Sequence, residues 1–386
     1  MSESHNHDQP LENSRLHKIL VGTNKLQQIP AFVVAIALAV CAGIAALTWV
    51  DQGSGALIFL GALIGMFGNW YLLWRLPRKG MSFGVDQPTA LALAALITLV
   101  TLIVGILNID ALFALLLIGA ITLVAYYATW IEPFRLGVTP QTFTRDDWRV
   151  PVTLLHISDI HVERITERER KLNRLINLLK PDVIVFTGDF VNLSYTGDPH
   201  ATAAIREIIG EWRAPLGVYC VPGTPVVEPL PLVREFVAGL DNLTLLLNEW
   251  HTVETAGGRL HLLGLITTHD LETDRAALRD AMTNAPEGGI RLLITHSPDI
   301  APEAGRAGID WYLCGHTHGG QIRLPIYGAL MSSSQLGMKY VMGRYDVNGM
   351  TLYVSRGIGM EGYGAPRARF LCPPEVILWR ITPSSI

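Results

Sequence analysis

The chain has 386 residues, 49% of them apolar and 17% charged, and its mean hydropathy is positive. That is too apolar for an ordinary soluble protein, and the net charge of −4 excludes nucleic-acid binding through a broadly basic surface. Cys41, Cys220, Cys314 and Cys372 are scattered, mostly within apolar runs, so buried thiols are expected and a disulfide framework is not.

Residues 1–28 read as a polar tail carrying Arg15, Lys18 and Lys25, with His5 and His7 near its start. Four uncharged apolar runs follow within 29–130: Ile29–Val50, Gly55–Trp74, Pro88–Leu107 and Ala111–Trp130. Each has the ~20 residues needed to cross a bilayer as a helix. Trp49, Trp74 and Trp130 stand at run ends, where interfacial aromatics are expected. The tail and the loop Arg75–Lys79 are basic, whereas Asp51–Ser54 and Asn108–Asp110 hold no Lys or Arg. The positive-inside rule then places both ends in the cytoplasm, at an inner or plasma membrane. With an even number of spans, everything after Trp130 is expected on that side. Cytosolic thiols fit the absence of a Cys pattern.

Residues 131–150 read as a polar connector. From 151 to 386 the pattern becomes short apolar strands alternating with amphipathic helices, the signature of an α/β domain. Val152–Ile157 and Asp182–Phe186 are expected strands around a helix over Glu167–Lys180, whose Leu172, Leu175, Ile176 and Leu179 share a face. A helix at Ala201–Trp212, a strand at Gly217–Val221 and a helix at Pro231–Leu240 come next. Later strands are expected at Arg259–Leu265, Arg291–Thr295, Asp310–Cys314, Thr351–Ser355 and Glu375–Ile381, with Asn348-Gly349 as a hairpin turn.

Six side chains of one chemical character follow these strands. Asp159 and His161 come after the first, Asp189 after the second, His296 after Arg291–Thr295, and His316 and His318 after Asp310–Cys314. The two-residue spacings suggest side chains aimed the same way from a strand end. Ligands of open α/β sheets gather at strand carboxyl ends. Mixed carboxylate and imidazole donors suit Mn, Fe or Zn better than Mg or Ca. A carboxylate such as Asp189 can bridge two ions about 3.5–4 Å apart, a pair suited to in-line phosphoryl displacement. His156 lies inside a strand and reads as a core residue; His200, His251 and His261 fit no site position.

Asp159-Ile160-His161, Gly188-Asp189, Thr295-His296 and Gly315-His316-Thr317-His318 resemble, in order and spacing, the motifs of the calcineurin-like metallophosphoesterases. The resemblance covers roughly Val152 to Thr382. The four amino-terminal spans and Gly319-Gly320-Gln321 resemble the transmembrane branch, which includes proteins similar to UDP-2,3-diacylglucosamine hydrolases of lipid A synthesis. The resemblance implies a four-helix membrane region followed by a β-sandwich flanked by helices, with a dinuclear site at one edge. It implies one metal held by Asp159, His161, Asp189 and His318, and a second held by Asp189, His296 and His316. Asp189 and Asp159 would be the catalytic carboxylates, and manganese the expected metal.

One motif departs. The family has Gly-Asn-His after the third strand, and this chain has Gly223-Thr224-Pro225. A threonine hydroxyl is a poor ligand, and proline has no proton to give. Glu228, or His269 and Asp270, are candidates to fill the vacancy; otherwise they are surface acids and a loop histidine. Arg323, Lys339, Arg356, Arg367 and Arg369 either contact phosphate or are solvated surface charge.

The function expected from these readings is a membrane-anchored, metal-dependent phosphohydrolase acting on a phosphoester or pyrophosphate bond of a UDP-linked or phosphorylated lipid. Its expected partners are that substrate and membrane lipid, with no nucleic acid. The rival is a metal-binding pseudoenzyme serving as a membrane sensor or scaffold, and Thr224-Pro225 is the feature that favours it.

Overall fold

The structure, a computed structural model, describes residues 25–384. His5, His7, Arg15 and Lys18 of the expected tail lie outside the described residues. The chain divides into two compact units: the residues up to Glu132 with Glu361–Ala368, and Pro133–Met360 with the stretch from Arg369 onward.

The first unit holds α1 (Ala31–Ala46), α2 (Gly55–Arg78), α3 (Gln87–Ile106) and α4 (Ala111–Tyr126). α2 and α3, and α1 and α4 with their short helical extensions to Trp49 and Phe134, are long and apolar enough to cross a membrane. Val34, Leu38, Ala42 and Ala45 recur at helical spacing on α1 and pack with Ala62, Met66, Ala94 and Ile97. The outward faces, with Phe32, Ile36, Leu60 and Ile64, are as apolar as the buried ones. That is the pattern of a helix surrounded by hydrocarbon, not of an amphipathic helix on a soluble core.

Two expectations change here. The basic stretch from Arg75 is not a loop, because α2 continues through Pro77 to Arg78. Pro77 forfeits the bond a 77 N–H would give to Leu73 O, yet the helix runs on to Arg78, and Arg75 and Arg78 lie at its negative end. The Arg78 guanidinium also stacks 3.6 Å from the Trp74 ring. Trp49 does not face outward as the run-end aromatics were expected to; it is fully buried with Ile58, Val104 and Ala114.

The second unit runs β1 (Gly137–Arg145), β2 (Val152–Ile157), α5 (Glu167–Leu179), β3 (Val183–Phe186), α6 (Pro199–Gly210), β4 (Val218–Cys220), α7 (Leu230–Val237) and β5 (Thr244–Leu245). It continues with β6 (Glu249–Glu254), β7 (Arg259–Gly264), α8 (Leu271–Met282), β8 (Ile290–Ile294), α9 (Ala301–Arg306) and β9 (Trp311–Cys314). The hairpin β10 (Arg323–Leu324) and β11 (Gly328–Ala329) precedes β12 (Gly343–Val347), β13 (Met350–Val354) and β14 (Glu375–Pro383).

One sheet has the order β1-β14-β2-β3-β4-β5 and the other β12-β13-β9-β8-β7-β6. β2, β3 and β4 are parallel in the first, and β7, β8 and β9 in the second. Their inner faces meet in one core, where Leu154, Val185 and Ile377 join Leu262, Leu292 and Leu313. Trp311 lies between Phe143 and Trp379, with ring centroids 4.8 and 4.7 Å away. The other face of the second sheet, through Leu263, Leu293 and Tyr312, buries Leu278 of α8 and Ala301 and Ala304 of α9. The result is a sandwich of two mixed sheets flanked by helices.

The stretch expected as a connector over 131–150 contains β1, which pairs in parallel with the whole of β14 from Gly137↔Glu375 to Arg145↔Pro383. It gave no strand signal because it is an edge strand burying only Phe143. β6, burying only Val253, was hidden for the same reason. Asn348 and Gly349, with φ of 55° and 82°, make the expected turn between β12 and β13.

Candidate metal centre

The parallel strands deliver their carboxyl ends to one edge of the sandwich. Just past them the backbone turns left-handed: φ is 49° at Asp159, 41° at His161, 59° at Asp189, 69° at His316 and 51° at His318. This conformation, and not strand alternation, aims the side chains together. It is uncommon outside glycine, least so for Asp, Asn and His, and is retained where surrounding bonds over-determine it. Gly315 allows the crossing, since a Cβ there would lie 2.1 Å from Asp159 Oδ2.

The donor atoms form two buried groups, Asp159, His161, Asp189 and His318, and Asp189, His296 and His316, each within 4.8 Å. In the first, His161 Nε2 is 2.9 Å from His318 Nε2 and 3.4 Å from Asp189 Oδ2. In the second, His296 Nε2 is 3.2 Å from the same Asp189 oxygen and 3.1 Å from His316 Nδ1. Two rings are fixed from behind: His161 Nδ1 donates to Val191 O at 3.3 Å and His296 Nδ1 to Thr187 O at 2.8 Å. With Nδ1 so bound, each Nε2 faces the Asp189 carboxylate, where its lone pair would serve a cation. Asp159 Oδ2, fully buried, has no hydrogen-bond partner. Lone pairs converging on a carboxylate, beside an unpaired buried carboxylate oxygen, fit a divalent cation.

The electrostatics agree. Burial opposes an imidazolium at His296, but Asp189 and Asp159 outweigh it and lift the group to about 10. Burial pushes Asp189 up, yet His296 and His161 hold it well below the usual carboxylate range. Burial, then His296, lowers His316 to about 4; burial, then His161, takes His318 well below its usual value. The pocket stabilises positive charge next to Asp189 and keeps His316 and His318 as neutral donors.

The divergent loop is built into this site. Thr224 is buried; its N–H donates to Asp189 Oδ1 at 2.7 Å, and its hydroxyl lies 3.3 Å from Asp189 Oδ2 and 3.1 Å from His296 Nε2. Glu228 is no surface acid: its carboxylate accepts the backbone N–H groups of Gly223, Asp189 and Phe190 at 2.5, 3.0 and 2.7 Å. It pins the Asp189 turn and belongs to neither donor group. Asp270 caps α8 by accepting from Thr273 N at 2.8 Å. His269 does reach the site. It is 2% exposed, its ring centroid is 4.6 Å from that of His316, and neither ring nitrogen has a hydrogen-bond partner.

The basic residues separate. Arg356 is bound to Glu375 at 2.6 Å, and fully buried Arg369 donates to Gly359 O at 2.6 Å and lies 3.3 Å from His318 Nδ1. Neither is surface charge. Arg367 belongs to the helical unit, against Gly84. Arg323 is half-buried and Lys339 exposed. Two contributions had no sequence signal: the brace of Arg369 behind His318, which depends on a contact 51 residues away, and the Glu228 anchor, which depends on the turn it caps.

Residues 152–320 match the family model of the calcineurin-like phosphoesterases. The chain is 28% identical over 270 residues to the uncharacterised metallophosphoesterase YkuE of Bacillus subtilis, covering 66% of this chain and 88% of that protein. It is 27% identical over 258 residues to the phosphodiesterase YaeI of Escherichia coli, covering 65% and 90%. It is 25% identical over 317 residues to the UDP-2,3-diacylglucosamine pyrophosphatase LpxG of Chlamydia trachomatis, covering 67% and 94%. With two buried donor groups sharing Asp189 at the strand ends, residues 152–320 are a calcineurin-like phosphoesterase domain, of the class of metal-dependent phosphoester hydrolases.

Proposed function

We propose that this chain is a membrane-anchored phosphohydrolase that uses two divalent cations, manganese foremost, to cleave a phosphoester or pyrophosphate bond in a UDP-linked or phosphorylated lipid. The observation that carries the reading is the sharing of Asp189 by two buried donor groups. The lipid class draws support from the four apolar helices and from the relatives named for UDP-2,3-diacylglucosamine. Membrane helices within 29–130 would anchor a catalytic domain over 151–386, on the cytoplasmic side by the charge of the loops. The net charge of −4 argues against a nucleic-acid substrate.

Asp159, His161, Asp189 and His318 would hold one ion, and Asp189, His296 and His316 the other. When bound, such a pair would supply Lewis acidity to the phosphoryl oxygens and lower the pKa of water, so that hydroxide is available near neutral pH to attack phosphorus. The chain's own groups set the geometry. Glu228 and the Thr224 N–H fix the Asp189 carboxylate, and the carbonyls of Val191 and Thr187 fix His161 and His296. His269, a neutral imidazole beside His316, offers an N–H to a phosphoryl oxygen in place of the family histidine that Pro225 replaces. A phosphate leaving group needs little protonation, so a proline at that position suits a pyrophosphate bond. The scaffold reading loses its main support, because Thr224 leaves the donor groups assembled.

The test is turnover of bis-p-nitrophenyl phosphate and of a UDP-diacylglucosamine by the purified full-length chain with Mn, against Asp189→Asn. Metal-dependent hydrolysis lost in the variant is expected. Hydrolysis no greater than that of Asp189→Asn returns the scaffold reading.

A further inference from the structure

The two glycines after His318 lead into the hairpin of β10 and β11, which is tied to the metal centre at its base. Arg323 Nη1 donates to Gly319 O at 2.8 Å, and Ser333 Oγ donates to His316 O at 2.7 Å. Gly320, at φ 80°, fits only without a side chain, since a Cβ would lie 2.3 Å from that of Ala329. The base of the hairpin is therefore held against the ligand loop.

What the tip carries is apolar and bare. Ile326 is fully exposed and Tyr327 is 74% exposed; Leu324, Leu330 and Met331 are exposed beside them. Ile326 has a φ of 67°, a conformation that a β-branched residue rarely adopts. The flanks are basic, with Arg323 and Lys339, and no acidic residue occurs between Asp310 and Asp346. A cluster of Ile, Leu, Met and Tyr on a stretch that carries Arg323 and Lys339 and no acid matches an anionic bilayer interface, where apolar side chains enter the acyl boundary and Lys and Arg meet the headgroups. So small a tip is ill suited to a second protein, for which a stable interface needs about 800 Å² per partner.

We infer that the β10–β11 hairpin inserts its tip, Ile326 and Tyr327, into the surface of an anionic phospholipid bilayer, seating the metal centre at the headgroup layer. The inference deepens the proposed lipid reading and rests on it for the substrate, while the contact itself is measurable without turnover.

The experiment uses the full-length chain in nanodiscs of phosphatidylethanolamine and phosphatidylglycerol. Ile326→Cys, and separately Tyr327→Cys, in a Cys41→Ser background carries a nitrobenzoxadiazole label, with Glu287→Cys in an exposed loop as the control. Quenching by doxyl-labelled phospholipid at 326 and 327, but not at 287, is expected. Iodide quenching at 326 and 327 equal to that at 287, without doxyl quenching, overturns the inference. A change in emission that follows protein concentration in detergent, without lipid, assigns the tip to a second copy and also overturns it. In the functional arm, Ile326→Ser with Tyr327→Ser lowers turnover of bilayer-embedded UDP-lipid by about tenfold, with bis-p-nitrophenyl phosphate turnover unchanged. Equal loss on both substrates counts against it. If the wild type turns over neither substrate, the proposed function fails while the quenching result still decides the contact.

Discussion

The hydroxyl of Thr224 lies 3.1 Å from Nε2 of His296, within reach of the Asp189 oxygen that His296 also faces. A neutral oxygen stands where the family places an amide ligand, so the second donor group is expected to be the weaker one. Thr224→Asn is expected to raise affinity for the second ion severalfold, read as metals per chain at limiting Mn by elemental analysis. Unchanged or lower occupancy would mean that the hydroxyl already completes the group.

His269 is expected to matter for turnover and not for metal retention. His269→Ala should lower kcat/KM by ~10²-fold, with metals per chain and Tm close to wild type. His269→Gln, which keeps an N–H near that position, should recover part of the loss. Loss of one ion from His269→Ala would make the residue a ligand. No change in either quantity would leave it a core histidine.

Glu228 is expected to be a positioning residue. Burial, then the Asp189 charge, raises its carboxyl to about 8, while its oxygens accept three backbone N–H groups of the site loops. Above about pH 8, where both oxygens are free to accept, Glu228→Gln keeps the shape but turns one acceptor into a donor facing N–H groups. A loss of about 1–3 kcal/mol in stability is expected, together with reduced turnover. A variant matching wild type in both, by thermal unfolding and steady-state assay, would remove the anchor role.

His156 sets a pH dependence. It is fully buried in β2 with Nε2 3.0 Å from Thr187 Oγ1, and burial lowers it from 6.5 to about 3. Above pH 6.5 it is neutral folded or unfolded and adds no slope. Below pH 6.5 the unfolded chain takes up a proton that the folded chain refuses, so stability falls by about 1.4 kcal/mol per pH unit until about pH 3. His156→Gln removes this group, and the stability gap between wild type and variant should shift by about 2 kcal/mol in favour of the variant between pH 6.5 and 5. A gap independent of pH, measured by denaturant unfolding, would show that His156 does not carry the slope.

The primary structure by itself determined the four apolar helices, the interior strands and the six donor residues. Uncharged runs of bilayer length and continuous Val, Ile and Leu segments such as Val183–Phe186 leave little choice of environment. It also exposed the anomaly at Thr224-Pro225. Tertiary structure alone decided which neighbours answer that anomaly. His269 and Glu228 looked like loop residues, and their roles came from a ring 47 residues away and a turn 39 residues away. It also decided β1, an edge strand whose register is dictated by β14 at the far end of the chain. The physical reason is the same in each case. Burial periodicity is written locally, whereas an edge strand, a buried carboxylate or an unpaired imidazole takes its meaning from partners that only folding brings within hydrogen-bond reach.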